Sequence, residues 1–351
     1  MDLREIFGSN VSIANTFEVP NTQNTVFLNS NLFQTQRHAS NEILIERQEA
    51  DGVNFISTET MPFAQSDWNS APSKKWQAYN YQLIHSAITN DVSSKDLETQ
   101  LRFGIFDRTD QAVAQLEAYS NRQLVMATNF VEDKLAEAVM SGVARSTYAG
   151  QKDLDFFTEF EQERTNFTLN VDDTFGVDIF EQLDDISRIM GTKLLGLETY
   201  RESMIVLCAG KAAKAFKRHK SIKDFVQFTM AFNNDANPLT QIAPNLNKAR
   251  KWELNGVVFL DVGGLPQYEK YLSSKDSFVA VPRLIGASLF DLHVGQAVRH
   301  MESHALNDNG IGSYLTYDQR WGFPGVHTEV SILPVVQQPQ AIVYGNVIGD
   351  I

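Results

Sequence analysis

From Asp107 to Ser141 the chain reads DRTDQAVAQLEAYSNRQLVMATNFVEDKLAEAVMS. This stretch decides the fold, because it holds neither proline nor glycine and carries apolar residues on one face at Val113, Leu116, Leu124, Ala127, Val131, Leu135 and Val139. Steps of three and four, or their sums, define one amphipathic stripe. Asp107 and Thr109 are candidate N-caps and Gly142 is a natural stop. The stretch therefore predicts a single helix of about 34 residues, roughly 50 Å long. A typical globular helix is about a third of that. Such a helix needs an extended body or a partner to cover it.

Upstream, the first forty residues are rich in Asn, Thr, Gln and Ser, with apolar anchors at Phe17, Val19, Val26, Phe27, Leu28, Leu32 and Phe33. A stretch of this composition cannot build its own core. It reads either as a frayed terminus or as an arm that orders by lying across another subunit. Strands are predicted around Ile43 to Ile45, over Val53 to Thr60 and over Lys75 to His85. Between the last two, Pro62, Asp67, Asn69, Ser70 and Pro72 supply turn chemistry. The whole reads as a long hairpin with a polar tip that carries Trp68 and is followed by Trp76. Two strands with so little apolar surface must lean on something else.

Downstream, the alternation of Phe156, Thr158 and Phe160, then Phe167, Leu169 and Val171, predicts two strands. A helix is expected from Phe175 to Met190 with Phe180, Leu183 and Ile186 on one face. Met204 to Leu207 reads as a short buried strand, and Ala209 to His219 as a helix with Lys211, Lys214, Lys217 and Arg218 solvated. Leu254 to Val262 and Phe278 to Pro282 read as core strands, and Ser331 to Ile348 as two closing strands around Gln337 to Pro339. Helices and strands interleave without a regular βαβ rhythm, so the class is α+β and not a Rossmann domain.

The length of 351 residues allows several domains, and 43% hydrophobic content is that of a folded protein. With 30 basic against 43 acidic residues the formal net charge is −13, which argues against a dedicated DNA binder. Cys208 is the sole cysteine, so no intramolecular disulfide and no cysteine-based zinc site can form, and a reducing compartment is expected. The opening residues lack a signal-peptide pattern, and no window approaches 18 apolar residues. Neither export by a cleaved signal nor a membrane span is expected.

No motif establishes catalysis. His300 and His304 are four apart but lack the glutamate that would follow the first histidine in a zinc-protease helix, so a surface or capping pair is expected. Cys208-Ala209-Gly210-Lys211 lacks the glycine cradle and the hydroxyl of a phosphate loop. Gly263-Gly264 after Asp261 reads as a plain turn, and Ser313 lacks the second glycine of a nucleophile elbow. Cys208 beside Val206 and Leu207 reads as a buried, inert thiol. Asp172-Asp173 and Asp184-Asp185 read as caps and solvated faces. Lys74 and Lys75 read as a solvated pair at the hairpin tip. No cofactor and no metal is expected.

The order of parts carries a resemblance: an Asn/Thr-rich arm, a hairpin from Glu42 to Asn90, a helix from Asp107 through Met126 and Glu132 to Met140-Ser141-Gly142, a Tyr148-Ala149-Gly150 turn into a strand at Leu154, and an end at Val343 to Ile351. It resembles the major capsid proteins of tailed bacteriophages with the Hong Kong 97-type fold, most nearly the lambda-type capsid protein E group. As a pattern of elements the likeness spans nearly the whole chain, while at the level of identity it is weak. The resemblance implies an N-terminal arm (1–41), an extended loop (42–90), a peripheral domain (91–172) with its spine helix at 107–141, an axial domain (173–306), and a return to the peripheral sheet (307–351). In that sheet, Leu154 to Val171 would join the C-terminal strands. The helix stripe would face it, leaving the opposite helix face to the shell surface.

It further implies a subunit that assembles with itself into hexamers and pentamers of an icosahedral head. The head would enclose double-stranded DNA without sequence-specific binding. Portal, scaffold and decoration proteins are the other partners, no membrane is involved, and the place is the virion, assembled in the host cytoplasm. The contact residues expected are Phe27 and Phe33 in the arm and Trp68, Lys74, Lys75 and Trp76 in the hairpin. The chain departs from the pattern in having no long charged segment before the arm, which implies either a separate scaffold or a form left after cleavage. The other readings are an encapsulin-like nanocompartment shell and, in a different class, a cytoplasmic α/β enzyme.

Overall fold

A computed structural model describes residues 25–48, 76–92, 108–148, 150–172, 177–224, 250–299, 306–318 and 323–349. The strand expected over Val53 to Thr60, Trp68, Lys74, Lys75 and the pair His300 and His304 lie outside these residues. In chain order the elements that place the site are α1 (Val26–Asn29), β1 (Phe33–Arg37), β2 (Glu42–Gln48), β3 (Trp76–Gln82), β4 (Ile84–Asp91) and the long spine helix α2 (Arg108–Ser141). Then follow β5 (Val143–Ala144), β6 (Leu154–Asp155), α3 (Phe156–Glu159), β7 (Thr165–Asn170), α4 (Ile179–Lys193), β8 (Arg201–Cys208) and α5 (Gly210–Arg218). The rest are β9 (Lys251–Leu254), β10 (Val257–Asp261), α6 (Pro266–Glu269), β11 (Phe278–Leu284), β12 (Phe290–Val294), β13 (Ile311–Asp318), β14 (Phe323–Val336) and β15 (Val343–Ile348).

The spine helix has the 34 residues its sequence predicts. Gly142 ends it at φ +77°, where a Cβ would run into the Phe157 ring, so only glycine fits the stop. Its stripe packs on a five-stranded sheet built around β14, the longest strand. One edge of β14 carries β4, and the other carries first β13 and then β12, with β1 added in parallel outside β12. The stripe residues Leu116, Leu124, Ala127, Val131, Leu135 and Val139 are all buried.

The opposite face of the helix divides in two. Glu117, Asn121, Arg122, Met126 and Asn129 are exposed, yet from Val131 to Met140 every residue except Asp133 is buried. The exposed face expected along the whole helix is therefore confined to its first half. The second half is wedged against a six-stranded sheet of order β7, β15, β11, β8, β10, β9, whose Leu207, Val279, Val281 and Tyr344 share its core. The Tyr344 hydroxyl donates to the Val139 carbonyl at 3.1 Å. On its other face this sheet carries α4 and α5, with Leu183, Ile186, Phe216, Phe259 and Phe278 in the core between.

Several elements differ from their sequence expectation for local reasons. Phe156 to Phe160 is a helical turn, not a strand: Asp155 Oδ1 accepts the Phe157 amide at 3.0 Å, and the rings of Phe156 and Phe160 stack one turn apart. An alternating pattern also places residues four apart on one side, which is why it misleads here. Leu254 to Val262 is two strands, turned by Asn255 and Gly256, both at positive φ.

The closing strands also separate. β14 joins the helix-backed sheet, whereas β7 and β15 pair with each other, Val343 opposite Thr165, in the six-stranded sheet. There Leu169, Val171 and Val343 are buried in the core shared with α4. Lys217, expected in solvent, has a side chain only 10% exposed; it pairs with Asp261 at 2.7 Å and lies 4.5 Å over the Trp252 ring.

The all-round burial of the second half of the spine helix sets an expectation. Leu135→Ala should destabilise the unassembled chain by about 2–5 kcal/mol in urea unfolding, while Met126→Ala, at a residue 47% exposed, should change it by about 0.5 kcal/mol or less. Equal effects would mean that the helix is not sandwiched.

Candidate assembly site

The described part of the N-terminal segment lies on the chain's own body, held by one carboxylate. Glu132 sits on the spine helix with 2% of its surface exposed. Its Oε1 accepts the Phe27 amide at 2.8 Å and the Tyr268 hydroxyl at 2.6 Å, and Oε2 accepts the Leu28 amide at 3.0 Å. The Tyr268 oxygen in turn accepts the Val26 amide at 3.2 Å. The unsatisfied amides that open α1 thus meet a negative charge. Burial pushes the Glu132 carboxyl above its ordinary value, and the donors from Tyr268, Phe27, Leu28 and Val26 oppose that rise.

Phe27 and Phe33, expected at contacts between subunits, are engaged within the chain. Phe27 is buried with its ring 6.0 Å from that of Tyr268. Phe33 opens β1 and lies 5.6 Å from its register partner Phe290. Beyond β1, His38 Nε2 and His293 Nδ1 are 2.7 Å apart.

The hairpin leaves the body at a tied root. The single strand expected over Lys75 to His85 is interrupted at the buried Leu83: among the described residues β3 pairs only with β2, and β4 pairs with β14. The Leu83 amide donates to the Asn41 carbonyl at 2.9 Å. Asn41 Oδ1 accepts the Gln296 amide at 3.0 Å and the Ser331 hydroxyl at 3.1 Å. From the other side Gln151 donates to the Gln82 carbonyl at 2.6 Å. A cleft of about 400 Å³ opens beside this root, lined by Tyr81, Gln82, Gln151, Leu154 and Leu333 among others. Leu44, on β2, is 60% exposed. Trp76 begins β3 opposite Gln48.

A second buried carboxylate, Glu329, holds the chain after β12: it accepts the amides of Val298 at 2.8 Å and Arg299 at 3.1 Å, as well as the Tyr314 hydroxyl. Gln123 of the spine helix is buried too, donating to the Val326 carbonyl and the Asn90 side chain and accepting the Thr328 hydroxyl. Sequence reasoning did not find Glu132, Tyr268, Asn41, Gln151 or Glu329. One available signal was the run from Leu135 to Met140, where Glu137 alone is polar, so no solvated face remains.

The residues weighed for chemistry are structural where described. Cys208 is fully buried, its thiol pushed well above the ordinary value by burial. Asp261 accepts the Gly263 amide at 3.1 Å in the expected turn. Lys211 is partly buried and its amide donates to Asp276 at 2.8 Å. Ser313 bonds Thr328 in the core at 2.8 Å. Asp185 pairs with Arg188. Among the described residues no group of three His, Cys, Asp or Glu is placed to hold a metal, and no helix is long and apolar enough to cross a membrane.

No protein-family model and no curated protein matches this chain. Among solved structures it is similar to a chain of the capsid of a native GTA particle, at TM-score 0.52 and 10% identity, over 95% of this chain and 96% of that one. A chain from Mycobacterium phage Che8 aligns at TM-score 0.49 and 13% identity over 94% of each. A capsid chain of Myoviridae phage XM1 aligns at TM-score 0.47 and 12% identity over 97% of this chain and 100% of that one. At the first of these similarities the fold is shown: α+β, Hong Kong 97-like.

Glu132→Gln turns one acceptor into an NH₂ that faces an N–H or O–H donor. It should cost about 1–3 kcal/mol and expose residues 25–37 to limited proteolysis. Tyr268→Phe should cost less and act in the same direction. Unchanged cleavage in both variants would contradict the anchoring role of this carboxylate.

Proposed function

We propose that this chain is a major capsid protein that assembles with itself into hexamers and pentamers and closes an icosahedral head around double-stranded DNA. One observation carries this reading: the fold corresponds end to end, over 95% of one chain and 96% of the other, with a chain whose place is a capsid. The tied hairpin root supports it. Two strands that pair with each other alone, one of them presenting a 60% exposed leucine, are suited to meeting another subunit. The net charge of −13 opposes adhesion to the enclosed DNA. The role is structural, not catalytic.

As assembly units, the spine helix with the five-stranded sheet would form the peripheral domain, and the six-stranded sheet with α4 and α5 the axial domain. Residues 42–90 would be the extended loop and 1–41 the arm. Trp68, Lys74, Lys75 and Trp76 would contact a neighbour, while Phe27 and Phe33 fix where the arm leaves its own body. Within such proteins the chain would belong nearest the lambda-type capsid protein E group, a reading supported by the order of parts in its sequence. Portal, scaffold and decoration proteins complete the partners, with assembly in the host cytoplasm and residence in the virion. Shells of this kind are held by many modest interfaces.

Negative-stain microscopy of the purified chain, alone and co-expressed with the genes beside its own, should show closed shells, rings or tubes. A homogeneous small species under every condition would overturn the reading.

A further inference from the structure

We propose that the contact between His38 and His293 is an acid-sensitive fastening that releases β1 from the edge of the five-stranded sheet while residues 26–28 stay seated on Glu132. Among the described residues the strand has few other contacts. It adds five residues in parallel to β12, on one side only, and Gln34 to Arg37 are exposed. Its other links are the Phe33–Phe290 ring contact, the His38 amide on the Val294 carbonyl at 2.8 Å, and two contacts to Asp308. Those two are the Thr35 hydroxyl at 3.2 Å and an Arg37 ion pair whose side chains are 57% and 81% exposed. An ion pair that open to water contributes little.

The imidazole pair is the titratable part of this attachment that reaches the interior, beside the Phe33–Phe290 contact. His293 is 5% exposed and its Nδ1 is 2.7 Å from His38 Nε2. At that distance one nitrogen donates and the other accepts. A first added proton is accommodated on the more open His38, which then donates to a neutral His293. A second proton sets two donors and two positive charges against each other.

The surroundings of His293 add one counterweight. Asp291, two residues earlier on the same face of β12, favours the protonated ring, while its carboxylate is held by Ser288 and Gln337. On the other flank β14 places only Ile332 to Val336 in register with β12. From β1 the facing group is His38, and Arg37 is turned to Asp308 at the exposed end. Burial dominates and lowers His293 to about 4, and His38 lies below its ordinary value as well.

The sign follows from linkage. Between about pH 6.5 and 4, His293 binds a proton once β1 is released that it excludes while β1 is seated, so seating is favoured at neutral pH and progressively lost on acidification through that window. Residues 26–28 are held at a separate point, the Glu132 carboxylate, which accepts the Phe27 and Leu28 amides and the Tyr268 hydroxyl and involves neither imidazole.

The test is amide hydrogen exchange on the full unassembled chain at pH 7.5 and 5.0, as protection factors corrected for intrinsic rates. Protection over Gln34 to His38 should fall by up to about 30-fold, the ratio set by a histidine moving between about 4 and 6.5. Protection over Arg201 to Cys208 should hold. His293→Gln should abolish the step, and His38→Gln, which removes the opposing ring, should shrink it. Unchanged protection of the strand in the native chain, an undiminished loss in either variant, or a parallel loss over Arg201 to Cys208 would overturn the proposal.

Discussion

A carboxylate buried to 2% exposure must find donors within the protein, and the way Glu132 finds them organises the molecule. None of its three hydrogen bonds comes from the spine helix that carries it. Two come from Phe27 and Leu28, more than a hundred residues earlier, and one from Tyr268, more than a hundred later. The charge therefore draws the N-terminal segment and α6 onto the same turn of the helix. Without those donors the middle of the helix would hold an uncompensated charge between two sheets.

This constraint explains why so long a helix can exist in a body of this size. A single amphipathic stripe accounts for the first half, which lies on the five-stranded sheet and is wet on its far side. The second half is covered on both sides and still carries Glu132, Lys134 and Glu137. Each is satisfied inside the protein: Lys134 bonds Glu137 at 2.7 Å and the Arg145 carbonyl at 2.8 Å. The helix thus joins the two sheets into one body.

Much of this was legible in the sequence. The helix announced itself through 35 residues without Pro or Gly, and the patterns at Ile43 to Ile45 and from Lys75 onward marked the two strands that pair as β2 and β3, while the turn expected between them lies outside the described residues. What remained hidden depends on partners distant in the chain. The alternation at Phe156 to Phe160 reads the same for a strand and a helical turn until Asp155 caps it. The split at Leu83 follows from Asn41 and from the pairing of β4 with β14, both invisible to a local reading. Phe27 and Phe33 were recognisable as anchors, but nothing near them told whether they anchor to their own body or another. The buried polar groups Glu132, Gln123 and Glu329 were not singled out, because the donors and acceptors that satisfy them come from distant parts of the chain.

Residues 25–37 lie on the body from which they come. A reconstruction of the assembled chain by electron cryomicroscopy at side-chain detail tests this directly. It should show Phe27 and Leu28 on Glu132 of the same subunit, with β1 beside β12. Continuous density carrying residues 25–37 onto the spine helix of a neighbouring subunit would contradict it.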